Sequence, residues 1–457
     1  MAGVFGFYNG DDFNTAAMVY YGLFALQPRG QESCGIAVND HGKIITHKEK
    51  GLLSEVFDQT ILSHLDGKMG IGHVHPGSDG ARENAQPLVA RYTKGHMAIA
   101  HSGNIINSKK LKEDFEQMGF MFQSDSDAEV IAALLSRRRI QSSNLEDALK
   151  HVMRTIHGAY ALLIMTPHKL IAARDPLGMR PLVIGKRDNS YIIASETTAL
   201  TAVGADFIRD VRPGEIVVID EINGLRSILT GGLPKTALCL FEFIYLARPD
   251  SVIDEANVYR ARFEAGRRLA QENPIDGDIV IGVPDSGLIA AVGYADYAKI
   301  PYADGLIKNR YIGRTFIQPG QNMREQSVVM KLSPIKSQIE GKRVIMIDDS
   351  IVRGTTSKII VKTLKNAGAK EVHVLSCSPP VKYSCYFGID TSEQSTLIAN
   401  THTTEEIRQT IGADSLGFLS LEGLLQVPQG SKCGFCKACF DGNYPMEIGE
   451  ADHGNGL

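Results

Sequence analysis

In Val344-Ile345-Met346-Ile347-Asp348-Asp349-Ser350 an apolar run ends in two adjacent carboxylates, and Arg353, Gly354, Thr355, Thr356 and Ser357 follow at once. That string predicts a buried strand stopping at the acids and a turn of small residues that opens a helix. It suits sugar-phosphate recognition. Amides and hydroxyls at a helix N-terminus hold a phosphate, where the helix dipole also favours negative charge. Carboxylates at the C-terminal edge of a strand hold ribose hydroxyls, directly or through Mg2+. A lone Asp-Asp reads as an ordinary strand end, but the whole string is far more specific.

Upstream, Val280-Ile281-Gly282-Val283 runs into Pro284-Asp285-Ser286-Gly287, a second strand and compact turn suited to cradle pyrophosphate. By itself that turn is an ordinary one. Lys308, Arg310, Arg314 and Arg324 then punctuate a Gly- and Pro-containing stretch with little periodicity. A basic lid over a leaving pyrophosphate fits that composition. The three segments together read as a site for phosphoribosylpyrophosphate (PRPP).

The chain has seven cysteines. Cys433, Cys436 and Cys439 fall in Cys433-Gly434-Phe435-Cys436-Lys437-Ala438-Cys439, whereas Cys34, Cys239, Cys377 and Cys385 are scattered. Stacked CxxC spacings suit an iron-sulfur cluster or zinc, and the residues leave both open. Cys34 and Cys377 read as buried apolar side chains.

The elements that must position these groups fall into two styles. Short strand-type runs at 36–38, 96–101, 160–165 and 191–194, with helical patterns at 127–138 and 145–156, predict layered sheets and helices in the first half. From 277 the rhythm becomes strand, turn and helix, with strands at 278–283, 343–347 and 372–375, which predicts a parallel sheet with right-handed crossovers. The breakers Gly231-Gly232-Leu233-Pro234 mark the boundary, giving domains 1–232 and 233–430 and a cysteine-containing segment 431–457 whose end, from 449, reads as mobile. The 457 residues carry a net charge of -4 from interspersed acids and bases, so nucleic acid is not expected as a partner. Arg137-Arg138-Arg139 reads as a solvated helix face. No apolar stretch approaches the roughly 20 residues of a membrane span, and no secretory pattern opens the chain, so the cytoplasm is expected.

Phe241-Glu242-Phe243-Ile244-Tyr245-Leu246-Ala247-Arg248-Pro249-Asp250-Ser251, Gly305-Leu306-Ile307-Lys308-Asn309-Arg310-Tyr311 and Pro379-Pro380 with Cys385-Tyr386-Phe387-Gly388-Ile389-Asp390, added to the strings above, resemble the glutamine PRPP amidotransferase family over nearly the whole chain. The resemblance implies an N-terminal-nucleophile-type αββα domain followed by a type I phosphoribosyltransferase domain. It implies that Asp348 and Asp349 grip ribose and Mg2+, that Ser286 joins the Mg2+ and pyrophosphate shell, that Asp285 belongs to the PRPP-binding residues, and that the stretch from Ser350 to Ser357 holds the 5'-phosphate. Lys308, Arg310 and Arg314 would order over PRPP. It further implies a [4Fe-4S] cluster on Cys239, Cys385, Cys436 and Cys439 with Cys433 spare, purine nucleotides as feedback ligands, and a homo-oligomer.

Gly3-Val4-Phe5-Gly6, Gly22-Leu23-Phe24-Ala25-Leu26-Gln27, Arg29-Gly30-Gln31-Glu32-Ser33, Glu83-Asn84-Ala85-Gln86-Pro87, Gly103-Asn104 and Ser126-Asp127 resemble that family's glutaminase half. The chemistry needs a cysteine just before Gly3, with its α-amine as base. This chain has Ala2 there, and no Cys, Ser or Thr precedes Thr15. His75 stands where the family has the arginine that pairs with glutamine's carboxylate, and the loop after it is shorter. Ser102 replaces the oxyanion-hole asparagine, and Pro28 replaces a histidine. The expectation is a pseudo-glutaminase joined to an intact PRPP transferase that uses ammonia. The alternatives are transfer to a different amine, or a non-catalytic PRPP-binding regulatory partner of an active amidotransferase.

Overall fold

The computed structural model describes residues 2–77, 82–231, 235–309, 331–389 and 393–448. Its first half stacks two antiparallel sheets. One has seven strands, with Gly3–Tyr8 near its centre between Ser190–Ala194 and Met69–His75. The other has six, with Gly158–Met165 paired to Gly95–Ile105 and Lys169–Arg174.

Strand alternation explains the layering, because successive side chains point to opposite faces. Val4 enters the apolar layer between the sheets, while Phe5 and Phe7 meet Val19, Leu23 and Leu26 of helix Thr15–Leu26. Ala161, Leu163 and Met165 face the same inner layer, while Tyr160, Leu162 and Ile164 pack under helices Asp127–Gln141 and Leu145–Thr155. All eight residues of Gly158–Met165 are buried, and each buried Leu or Ile contributes roughly 1.5–3 kcal/mol. The result is the expected αββα stack. The helix at 127 begins where Ser126 accepts the amide of Ala128 and Asp127 and Glu129 occupy the positive first turn. Arg137 and Arg138 lie on its exposed face, as expected.

The second half holds a parallel sheet in the order Ile279–Gly282, Arg343–Asp348, Glu371–Ser376, Ser415–Phe418. Helices Leu288–Ala298, Thr355–Asn366 and Thr404–Ile411 supply the crossovers. Val344 and Met346 enter one core and Ile345 and Ile347 the other, so both faces are covered, as a parallel sheet requires.

Gly224–Leu229 is the last strand of the six-stranded sheet, and of the expected boundary residues 232–234 lie outside the described residues. The segment from 431 is stitched back into the fold, because Phe435–Cys436 pairs in parallel with Leu238–Cys239. The expected mobile tail from 449 also lies outside the described residues. Among those described, no helix is long and apolar enough to cross a membrane.

The two halves are locked by buried ion pairs. Arg29 contacts Glu196 within its own domain and donates from Nη2 to Glu242 across the boundary at 2.6 Å. Arg174, fully buried, grips both carboxylate oxygens of Asp254 at 3.0 and 2.7 Å.

Candidate active site

Arg343–Asp348 is flanked on both edges by parallel strands, so its C-terminal end delivers Asp348 and Asp349 to the rim of the sheet. Asp348 accepts the amide of Asp349 at 2.9 Å. Asp349 accepts the hydroxyl of Ser350 at 2.6 Å, and that of Ser286 arriving from the neighbouring turn. Burial pushes both carboxyls above their ordinary range, and the charge of Asp349 pushes Asp348 up further. A buried acid beside a half-buried one, with charges that repel, suits a cation. Two carboxylates and a hydroxyl are also the donors Mg2+ takes when substrate phosphates and water complete its shell.

The turn beyond the acids is set by Gly354, whose φ of +74° and tight packing leave little room for a side chain: a Cβ there would lie 2.9 Å from Ile398. Helix Thr355–Asn366 starts immediately after it. Its first amides, at Thr355, Thr356 and Ser357, have no acceptor within the helix and are available to an anion. Thr355, Thr356 and Arg353 are exposed and Ser357 is buried. On the facing turn, Gly287 packs so close that a Cβ would lie 2.6 Å from the carbonyl of Ile347, which brings Ser286 against the carboxylates. Lys308 closes that turn from outside by pairing with Asp285. Arg310, Arg314 and Arg324 lie outside the described residues.

Cys239, Cys385, Cys436 and Cys439 line one small cavity with Met179, Arg180, Phe241, Phe387 and Tyr444. Cys239 and Cys436 are register partners in the parallel pair, and the amide of Phe387 donates to Cys385 Sγ at 3.4 Å. Burial pushes the Cys436 thiol up to about 11 and the thiols of Cys239 and Cys439 higher still, and charge on one opposes charge on the others. Cys433 stands apart beside Asp254 and Arg174, its thiol pushed up to about 11 by burial. Among the described residues, no three His, Cys, Asp or Glu side chains are grouped as ligands of a single metal ion. Cys34 and Cys377 are buried as expected, although Cys377 also lines a second small cavity with Asp349, Ser286 and Arg262.

In the first domain, Ala2 is buried at the head of the central strand and its carbonyl accepts the hydroxyl of Ser102 at 2.7 Å. His73 and His75 stack with centroids 5.7 Å apart, and His73 donates from Nε2 to the carbonyl of His101 at 2.9 Å. Burial, with His75 and His101 adding to it, holds His73 well below its ordinary value; burial and then Arg180 bring His101 down to about 3. Asp127, half-buried at the start of its helix, is pushed up to about 6 by desolvation while accepting the amide of Ile105 at 2.8 Å. Pro28 is the second residue of the 3-10 turn Gln27–Arg29, within its first turn, where a missing amide is tolerated.

The structure therefore brings Asp348, Asp349, Ser286 and Ser350 together, and sets Asp285 with Lys308 at their edge. Two further arginines line these sites with no mark in the sequence. Arg262 is buried near Asp349 and donates to the carbonyls of Phe243 and Ala247 at 2.9 and 2.7 Å. Arg180 is buried against the cysteines. No local signal distinguishes either from a solvated arginine.

A glutamine amidotransferase domain family matches residues 74–202, and a phosphoribosyl transferase domain family matches 256–378. The chain is 49% identical over 453 residues to the amidophosphoribosyltransferase of Bacillus subtilis, covering 98% of this chain and 94% of that protein. It is 46% identical to that of Methanocaldococcus jannaschii, over 98% of both chains. A solved structure of glutamine PRPP amidotransferase from B. subtilis, in complex with ADP and GMP, superposes with a TM-score of 0.92 at 49% identity, covering 98% of each chain.

Proposed function

The chain belongs to the amidophosphoribosyltransferase family, and on that premise we propose that it transfers the phosphoribosyl group of PRPP to an amine, in the leading case ammonia. The products are 5-phosphoribosylamine and pyrophosphate. The nitrogen lone pair forms the new bond at C1 as the C1–O bond to pyrophosphate breaks. The leaving group keeps that electron pair, and the surplus proton on nitrogen passes to solvent.

The observation that carries this reading is the Asp348, Asp349 and Ser286 group at the end of a central parallel strand, directly ahead of the Gly354 turn. In this reading the carboxylates hold the ribose hydroxyls, the helix start from Thr355 to Ser357 holds the 5'-phosphate, and Asp285 and Ser286 shape the pyrophosphate cradle. Where Mg2+ is bound, Asp348, Asp349 and Ser286 would hold it, and it would neutralise charge gathering on the leaving group. Lys308, with Arg310 and Arg314, would add positive charge over the same oxygens.

The nitrogen source is where this chain departs from its relatives. Ala2 has no thiol, Ser102 spends its hydroxyl on Ala2, and a stacked histidine replaces the expected carboxylate clamp. We therefore read the first domain as no longer hydrolysing glutamine. Pyrophosphate release with glutamine, ammonia and a panel of amines, compared side by side, tests the proposal, and the panel also addresses transfer to a larger amine. Release with none of them would favour a regulatory PRPP-binding role.

A [4Fe-4S] cluster on Cys239, Cys385, Cys436 and Cys439 is part of this reading. What supports it is that the four thiols line one cavity, and one thiolate per iron would hold a cubane there. When bound, it would tie the C-terminal segment to the transferase domain. Purine nucleotides as regulatory ligands are proposed from the ADP and GMP held by the Bacillus structure. Self-association and a cytoplasmic location complete the proposal.

A further inference from the structure

We infer that Arg180 is the charge partner of the cysteine-cavity cluster and sets how readily that cluster takes an electron. The inference rests on reading the cavity as a [4Fe-4S] site.

Arg180 is 1% exposed and forms part of the cavity wall with the four cysteines. Its Nη2 donates to the carbonyl of Phe387, but Nε and Nη1 are buried without any hydrogen-bond acceptor. The closest carboxylate oxygen, on Glu242, is 3.9 Å from Nη1. Glu242 is already engaged by Arg29, at 2.6 and 3.4 Å. A buried guanidinium with idle donors is costly unless something anionic faces it.

The backbone holds it in place. Asp175 accepts the amides of Met179 and Arg180 at 3.0 and 3.2 Å, and the carbonyl of Met179 accepts the amide of Cys239 at 3.3 Å. Residue Phe387 joins the two ends: its amide donates to Cys385 Sγ, and its carbonyl accepts from Arg180.

An all-thiolate cubane carries a double negative charge when oxidised and a triple one after gaining an electron. Charge and hydrogen bonds at the sulfurs set its potential. A fixed cation at the wall favours the more negative state, so Arg180 raises the potential and protects the cluster from oxidation.

The test uses the full chain, purified anaerobically, as wild type, Arg180→Gln and Arg180→Lys. Iron and acid-labile sulfide are counted, and dithionite reduction is followed by electron paramagnetic resonance against a fixed series of potentials. The glutamine variant keeps a donor for Phe387 but no charge. At a given potential its ratio of reduced to oxidised cluster should fall about tenfold, equivalent to ~59 mV for one electron, while the lysine variant stays near wild type. An unchanged potential in the glutamine variant overturns the inference. So does loss of the cluster from both variants with the fold intact, which would make Arg180 a clamp on Phe387. Wild-type protein without iron and sulfide removes the cluster reading itself, and this inference with it.

Discussion

Ser102 donates its hydroxyl to the carbonyl of Ala2 at 2.7 Å, closing a hydrogen bond where an amide hydrolase needs a nucleophile and an oxyanion donor. The acceptor is the backbone carbonyl of residue 2, so restoring a thiol there leaves Ser102 in place and the oxyanion amide still missing. Ala2→Cys alone should release glutamate from glutamine at a rate at least roughly 10²-fold below that of the triple change Ala2→Cys, Ser102→Asn, His75→Arg. One oxyanion donor by itself is worth about 10²–10³ in rate, and groups acting as one unit are not additive. Glutamate release by Ala2→Cys alone at the triple variant's rate would show the rest of the pocket to be intact.

Asp348 and Asp349 face each other's charge in a buried setting. Asp348→Asn with Asp349→Asn should abolish pyrophosphate release from PRPP. It should also raise the melting temperature of the metal-free protein, because the repulsion between a buried and a half-buried charge is relieved. A gain of about 1 kcal/mol corresponds to ~2–4 °C for a domain of this size. Undiminished release would move the site elsewhere.

The cysteine cavity makes a prediction in metal content. Anaerobically purified protein should be brown and contain about four iron and four sulfide per chain. Cys436→Ala or Cys439→Ala should lose the colour and destabilise the C-terminal segment, whereas Cys433→Ala, placed beside Asp254, should keep it. One zinc and no acid-labile sulfide would contradict the assignment.

His101 is buried and held down to about 3, against an ordinary value of 6.5. A base whose folded value is depressed binds fewer protons folded than unfolded. Its stability contribution is therefore complete above pH 6.5 and lost as pH falls from there toward 3. Asp127, raised to about 6, works in the opposite sense: what it adds is present at low pH and disappears as pH rises through about 6. His101→Asn should flatten the fall in urea midpoint between pH 7 and 5. An equally steep fall in the variant would mean that His101 is not responsible.

The group proposed as the transferase site was legible as a cluster because its signal is local: an apolar strand, two acids and a turn of small residues lie within one continuous string, and the fold keeps them adjacent. The strands at 160–165 and 343–347 were legible for a related reason, since continuous apolar runs bounded by turns mark buried strands. Helix Thr15–Leu26 was not singled out, because Ala16, Met18, Val19, Leu23 and Leu26 accompany apolar residues on every side and leave no helical period to read. Arg180, Arg262 and the link from Arg29 to Glu242 were hidden for a deeper reason. A buried arginine is defined by partners far away in the chain, and its own neighbours carry no mark of them.

The account stands most directly on the nitrogen donor. Pyrophosphate release from PRPP should be measured on anaerobically purified protein with glutamine or with ammonium at several pH values. Release should rise with free NH3 and hence with pH, since the neutral molecule is the nucleophile, and glutamine should give no more than the background. Glutamine-dependent release matching that with ammonia would contradict the account and return the chain to the ordinary glutamine-using members of its family.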